Sequence, residues 1–205
     1  MKLMYSPGAC SVGIHVLLEE IGKPYEAQLV NLREGAQFKA DFTSVNPKSK
    51  VPTLVRDDGS VLTEYPAIAY WLARTNPDKK LLPEDVEAQT RAIEALDYCV
   101  STLHMQGFSR LFRASNYTPN PADEDKVKER GKEMVEKGFA VMDKTLAGKD
   151  YLAGSFSIAD SALFYTEFWG AKRMNMTLPP NCAKHLDRMM ARPAVQRVVQ
   201  QEGLA

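Results

Sequence analysis

Residues 2–5 form a short apolar run that predicts a strand, and Ser6-Pro7-Gly8-Ala9 follows as a turn. Val12, Val16, Leu17 and Ile21 then recur at helical spacing, and Gly22 with Pro24 ends that helix. Tyr25, Ala27 and Leu29 alternate with Glu26, Gln28 and Val30, the pattern of a half-buried strand over 25–31. A weak helix is predicted over 38–45 and is broken by Asn46-Pro47. Residues 53–56 and 60–63 flank Asp57-Asp58-Gly59, a hairpin signature. Residues 66–75 read as a helix, with Asn76-Pro77 beyond its end. The order is β-α-β-α-β-β-α, with an antiparallel pair near its close.

Beyond this point no strand pattern is convincing. Ala92, Ile93, Leu96, Val100, Leu103 and Leu111 give a helical period over 88–115, and 116–121 is a polar, proline-rich loop. Val127, Met134, Val135, Phe139, Met142 and Leu146 form a second amphipathic stripe. Ser157-Ile158-Ala159-Asp160 reads as a capping box, with Asp in the usual place of Glu, before an apolar run over 162–169. Shorter helices follow over 181–191 and 194–201. The composition shifts across 79–87, so the reading is an α/β domain over 1–78, a linker over 79–87 and an all-helical domain over 88–205.

Charge and cysteines narrow the class. Lys+Arg and Asp+Glu each number 26 in 205 residues, for a formal net charge of zero. That balance argues against a nucleic-acid binder and a polybasic membrane-surface protein. The first residues lack a signal-peptide pattern and no run approaches a membrane span, so a cytoplasmic, membrane-free protein is expected. Cys10, Cys99 and Cys182 are odd in number and far apart. They suit a reducing compartment and lack zinc-ligand spacing, so no metal is expected.

Three features of the α/β region bear on chemistry. Cys10 lies in a turn between a strand and a helix start, where unpaired N–H groups favour a thiolate, although burial as a small hydrophobe fits the position equally well. Val51-Pro52 precedes a strand, and a cis bond there would expose the Val51 backbone to a peptide-like ligand; trans is the default. At Glu64-Tyr65-Pro66 a helix begins, with N–H groups suited to a carboxylate and Glu64 suited to an ammonium group; plain capping also accounts for it. Together these would suit a small peptide carrying a thiol, carboxylates and an amine. Cys99 shares the apolar stripe of Ala92, Leu96 and Leu103 and reads as core, while His15 and His185 read as surface or packing residues.

Residues 1–11 (Met-Lys-Leu-x-Tyr-Ser-Pro-Gly-Ala-Cys-Ser), Asn46-Pro47-Lys48, Val51-Pro52-Thr53-Leu54, Asp57-Asp58-Gly59, Leu62-Thr63-Glu64 with Ala67-Ile68, and Ser157-Ile158-Ala159-Asp160 resemble, in order, the cytosolic glutathione S-transferases. Cys10 and His104 point to the bacterial beta class. The resemblance implies a thioredoxin-like N-terminal domain, an all-α C-terminal domain and a homodimer. It makes glutathione the co-substrate, with Cys10 beside its sulfur and Ser11 a further hydroxyl and N–H donor there. Val51, before an expected cis Pro52, would pair with the cysteinyl backbone, and Glu64 and Tyr65 would hold the γ-glutamyl end. Lys50 or Arg33 would reach the glycyl carboxylate, or else serve only as solvated surface charges. His104 would approach the thiol or the electrophile. Phe108, Phe112, Tyr165 and Trp169 would receive an apolar electrophile between the domains, or serve as core.

Two departures qualify the resemblance. The family usually has Ser or Gly after the glutamate, where this chain has Tyr65, a bulky side chain to be placed near the site. The beta-class Leu-His-Lys-Gly-Phe is here Leu103-His104-Met105-Gln106-Gly107-Phe108, so anchoring on Gly-Phe would put Met105 in the histidine's place. Tyr5 occupies the neighbourhood where other classes of the family keep a thiol-activating tyrosine, but it reads first as a strand residue packed into the core of the α/β domain. The expected activity is conjugation of glutathione to an electrophile. The alternatives are glutathione-dependent thiol–disulfide exchange through Cys10 and a non-catalytic ligand-binding module on the same fold.

Overall fold

The structure, a computed structural model, describes residues 1–204. Packing divides the chain into two units, Met1–Leu82 with Arg188–Ala205, and Pro83–Asp187.

In the first unit, β1 (Lys2–Tyr5), β2 (Glu26–Leu29), β3 (Thr53–Val55) and β4 (Val61–Thr63) form one mixed sheet in the order β2-β1-β3-β4. β1 and β2 are parallel, a pairing that needs a crossover, and α1 (Ser11–Ile21) supplies it. β3 pairs antiparallel with both β1 and β4, with Leu3 opposite Leu54 and Thr53 opposite Thr63. Gly59, at φ 80°, takes the left-handed corner of the β3–β4 hairpin. Leu3 and Leu54 are fully buried, as are Ile14 and Leu17 of α1 and Ile68 and Leu72 of α3 (Tyr65–Thr75). Met4, Val30, Phe42 and Val51 form a second apolar cluster, with Phe42 supplied by the one-turn α2 (Ala40–Thr43).

The β2 burial pattern differs from the expected alternation. Leu29 is 56% exposed, whereas Val30, just past the strand, is buried and donates its N–H to Tyr5 O at 2.7 Å. β2 is an edge strand, and the chain turns inward only where it leaves the sheet.

The segment 188–204 also departs from the expected division, because it belongs to this unit. Its helix α9 (Pro193–Gln201) packs on α1. Arg192 Nε meets Glu20 at 2.7 Å and Arg197 Nε meets Glu19 at 2.5 Å. Ala194, Val195 and Val198 make its buried face.

In the second unit, α4 (Val86–Asp97) runs into a π-helical stretch, Tyr98–Phe108, and on into α5 (Ser109–Phe112). The expected single regular helix is therefore widened over three turns, which changes which side chains share a face. α6 (Glu124–Thr145) packs closely on this stretch. A Cβ on Gly138 would lie 2.5 Å from Leu103 Cδ2, and one on Gly107 would lie 2.6 Å from Val135 Cγ2, so both glycines permit the approach.

The helices α7 (Ile158–Phe168) and α8 (Pro180–Met190) complete the set, the unit boundary falling near the end of α8. The expected capping box is present: Asp160 Oδ2 accepts from Ser157 N and Ser157 Oγ, and Ser157 Oγ accepts from Ala159 N. Among the described residues no helix is long and apolar enough to cross a membrane.

His185 is not a surface residue. It is fully buried, with Nδ1 2.8 Å from Glu167 Oε2 and Nε2 3.2 Å from Asp160 Oδ1. Burial alone would lower its pKa, but the Glu167 and Asp160 carboxylates outweigh that and push it up from 6.5 to about 9. Burial pushes the Glu167 carboxyl up from 4.5 to about 7, against the pull of His185. Both groups hold their protons more tightly when folded. The stability from Glu167 is complete below pH 4.5 and lost as pH rises through about 7. That from His185 is complete below pH 6.5 and lost as pH rises through about 9. Urea unfolding is therefore expected to show a stability loss of roughly 2–3 kcal/mol across the His185 window. A flat profile there would mean that the cluster takes up no proton on folding.

Candidate active site

The first unit places the thiol. β1 ends at Tyr5, and the turn that follows closes through Ala9 N to Ser6 O at 2.9 Å, with Gly8 at φ 62°. Cys10 sits at the N-cap of α1, at the positive end of that helix's dipole. It is partly exposed, and its Sγ lies 3.5 Å from the carbonyl oxygen of Val51. Cys99 and Cys182 are fully buried, and burial pushes both thiols up, so they fill the core.

The Val51–Pro52 bond is cis, in line with the expectation at Pro52. Asn46 braces the loop leading to it. Its Nδ2 donates to Lys50 O at 2.9 Å and to Thr53 Oγ1 at 2.8 Å, and its Oδ1 accepts from Lys48 N at 3.0 Å. Asn46 is 1% exposed, so these bonds are sheltered from water. Asn46-Pro47 reads in sequence as a helix break, and the break is also a brace.

Glu64 stands at the N-cap of α3 with φ 69° and ψ 122°, in left-handed space that an ordinary side chain seldom adopts. Its carboxylate is exposed and pairs with Lys48 Nζ at 2.8 Å, which also donates to Thr63 Oγ1 at 2.9 Å. Tyr65 resolves the steric question raised by its size, because it is 4% exposed and packs inward while its backbone stays at the helix start. Lys48 is a site neighbour that local pattern does not reveal, since the hairpin carries Glu64 back to it across 16 residues.

Other expected residues fall differently. The Ser11 hydroxyl does not serve as a donor at the sulfur. It is fully buried and braces the turn, accepting from Ser6 N at 3.2 Å and donating to Ser6 O at 3.3 Å. Lys50 and Arg33 are exposed surface side chains. Tyr5 lies with its ring 5.2 Å from that of His15, and burial, then the nearby Glu202 carboxylate, raise its pKa so that it keeps its proton. His15 is fully buried, with Nδ1 2.8 Å from Glu202 Oε1.

The second unit gathers the remaining candidates into one aromatic cluster. His104 Nδ1 lies 3.3 Å from the Tyr165 hydroxyl, and its ring stands edge-on to Trp169 with centroids 4.7 Å apart. Met105, by contrast, is exposed, so His104 is the side chain turned onto the aromatics. Phe108 stacks with Phe112 at 5.7 Å, and Trp169 meets both at 5.4 Å. Phe108 and Tyr165 are fully buried and Trp169 nearly so. Phe112, 40% exposed, is the member that presents apolar surface, and the other three support it as core.

The chain is similar to known proteins over its whole length. Residues 8–75 match the family model for the glutathione S-transferase N-terminal domain, and residues 100–193 match that for the C-terminal domain. Glutathione S-transferase GstA of Escherichia coli O157:H7 is 37% identical, with all of both chains covered. The solved structure of a sphingomonad glutathione S-transferase complexed with glutathione is 37% identical over the whole of both chains, with a TM-score of 0.87. A bacterial beta class enzyme from Sphingomonas chungbukensis is 35% identical, again over both chains entire, with a TM-score of 0.84. With matching sequence over its full length and the same fold, the chain belongs to the glutathione S-transferase family and is similar to its bacterial beta class.

Proposed function

We propose that this protein joins the thiolate of glutathione to apolar electrophiles, with Cys10 beside the glutathione sulfur. The observation that carries the placement is the 3.5 Å separation of Cys10 Sγ from Val51 O, which sets a thiol at a helix start next to a backbone edge. Val51 would pair with the cysteinyl unit and direct its sulfur toward Cys10. The Tyr65 N–H at the start of α3 would receive the γ-glutamyl carboxylate, and Glu64 its ammonium. A net charge of zero gives an anionic ligand no global attraction, so these local groups supply the affinity.

A free thiol has a pKa of about 8.5, and lowering it by about 2 units corresponds to ~2.7 kcal/mol of preferential thiolate binding. A helix N-terminus and aimed N–H donors supply energies of that size. The thiol releases its proton to solvent, the sulfur forms a bond to the electrophilic carbon, and the leaving group departs with its electron pair. Within the second unit, Phe112 presents apolar surface suited to such an electrophile, with Phe108 and Trp169 packed behind it. Three cysteines, odd in number and far apart in the sequence, suit a cytoplasmic setting, and family membership supports a homodimer.

The test pairs calorimetric titration with glutathione and a chloronitrobenzene conjugation assay followed by absorbance. The expected result is saturable binding and a conjugation rate above the uncatalysed one. A folded protein with no measurable affinity for glutathione would overturn the proposal. Cys10→Ala is expected to keep most of the conjugation while losing exchange with glutathione mixed disulfides. Equal loss of both activities would instead make Cys10 indispensable to conjugation.

A further inference from the structure

Glu202 lies just past the end of α9, and its side chain is wholly buried. One carboxylate oxygen, Oε2, accepts from Gly8 N at 2.7 Å, and the other, Oε1, meets His15 Nδ1 at 2.8 Å. Gly8 is two residues before Cys10, in the turn, and His15 is five residues after it, on α1. All three residues belong to the first unit. A buried carboxylate is costly unless strong partners compensate it, and here both partners lie on the segment that carries the thiol.

The anchor is itself held in place. Glu202 N donates to Val198 O at 2.8 Å, Gly203 closes the helix end at φ 63°, and α9 is tied to α1 through Arg192–Glu20 and Arg197–Glu19.

From this geometry we infer that Glu202 is a positioning residue for the thiol site: one buried carboxylate clamps the turn before Cys10 and the helix after it, fixing the direction of Cys10 Sγ toward Val51 O. The inference rests on the reading of Cys10 given above.

Glu202→Leu removes both contacts. It is expected to raise KM for glutathione about tenfold, and to change the alkylation rate of Cys10 by iodoacetamide by a similar factor, while KM for the electrophile stays unchanged. Cys99 and Cys182 are fully buried, so alkylation of the folded protein reports on Cys10. Glu202→Gln keeps an acceptor for Gly8 N–H and should restore most of both readings. Arg197→Ala removes only the more exposed of the two ties to α1, leaving Arg192–Glu20 and both Glu202 contacts in place, and should leave both readings as in the parent protein. If Glu202→Leu does not fold, Glu202→Asp, shorter by one methylene, should show the same split at smaller size.

The inference is overturned if the folded variants lose only thermal stability, or if both KM values rise together, or if Arg197→Ala reproduces the effect. Alkylation requires no glutathione, so it tests the positioning of Cys10 even if the glutathione reading itself fails.

Discussion

Asp160→Ala is expected to destabilise the protein by about 3–5 kcal/mol, lowering the thermal midpoint by roughly 10 °C. Asp160 is fully buried and its two oxygens serve four donor atoms. Oδ2 accepts from Ser157 N and Ser157 Oγ at 2.8 and 2.9 Å, and Oδ1 accepts from Leu152 N at 2.8 Å and faces His185 Nε2 at 3.2 Å. Truncation leaves the Leu152 and Ser157 amides without an acceptor in a site water does not reach, and leaves His185 with Glu167 alone among its two carboxylate partners. Each orphaned amide costs about 1–3 kcal/mol. Asp160→Asn should lose less, since its oxygen can still serve Leu152 N and His185 while its NH₂ faces the Ser157 donors. Ser157→Ala, which removes the cap hydroxyl but keeps the Asp160 acceptor for both amides, should cost about 1 kcal/mol. Urea unfolding checks the order; a loss below about 1 kcal/mol for Asp160→Ala would show that the carboxylate's desolvation cancels its bonds.

The capping box was legible because all its information is local: Ser157 and Asp160 are three residues apart, and the apolar run follows at once. The hairpin at Asp57-Asp58-Gly59 was legible for the same reason, as was the end of α1 at Gly22. His185 was not, because nothing near residue 185 announces that the chain will bring Asp160 and Glu167 to its two ring nitrogens. The apolar face of α9 could be read from the spacing of Val195, Val198 and Val199, but periodicity does not name the helix it meets. That meeting with α1 draws 188–204 into the first unit. The π-helical stretch at Tyr98–Phe108 escaped because widened turns leave no composition signal, and they place His104 against Tyr165 and Trp169.

The site divides in the same way. Cys10, Val51 and Glu64 were readable from strand and helix boundaries, which expose backbone groups wherever they fall. Ser11 misled because adjacency to Cys10 says nothing about which way a hydroxyl turns, and Ser6 captures it. Glu202 carries no local signal of its role, because the Gly8 amide that it accepts from lies 194 residues away in the chain.

The largest effect on substrate binding is expected at Glu64. On its proposed role, Glu64→Gln should raise KM for glutathione by about ten- to a hundredfold, the worth of a charge-assisted hydrogen bond to an ammonium group. At saturating glutathione kcat should change little, because the contact lies far from the sulfur and is made equally in ground and transition states. Gln keeps the length of the side chain, so the strained backbone at φ 69° faces no new steric demand. The partner of Glu64 supplies the opposing arm. Lys48 Nζ pairs with Glu64 Oε1, and an incoming ammonium would compete with it for the carboxylate. Both side chains are more than half exposed, and such pairs are worth about 0–1 kcal/mol. Lys48→Met should therefore lower KM for glutathione by no more than about fivefold. A rise in KM would mean that Lys48 grips a carboxylate of glutathione itself, and steady-state kinetics on the two variants separates a competitor for Glu64 from a ligand-binding cation.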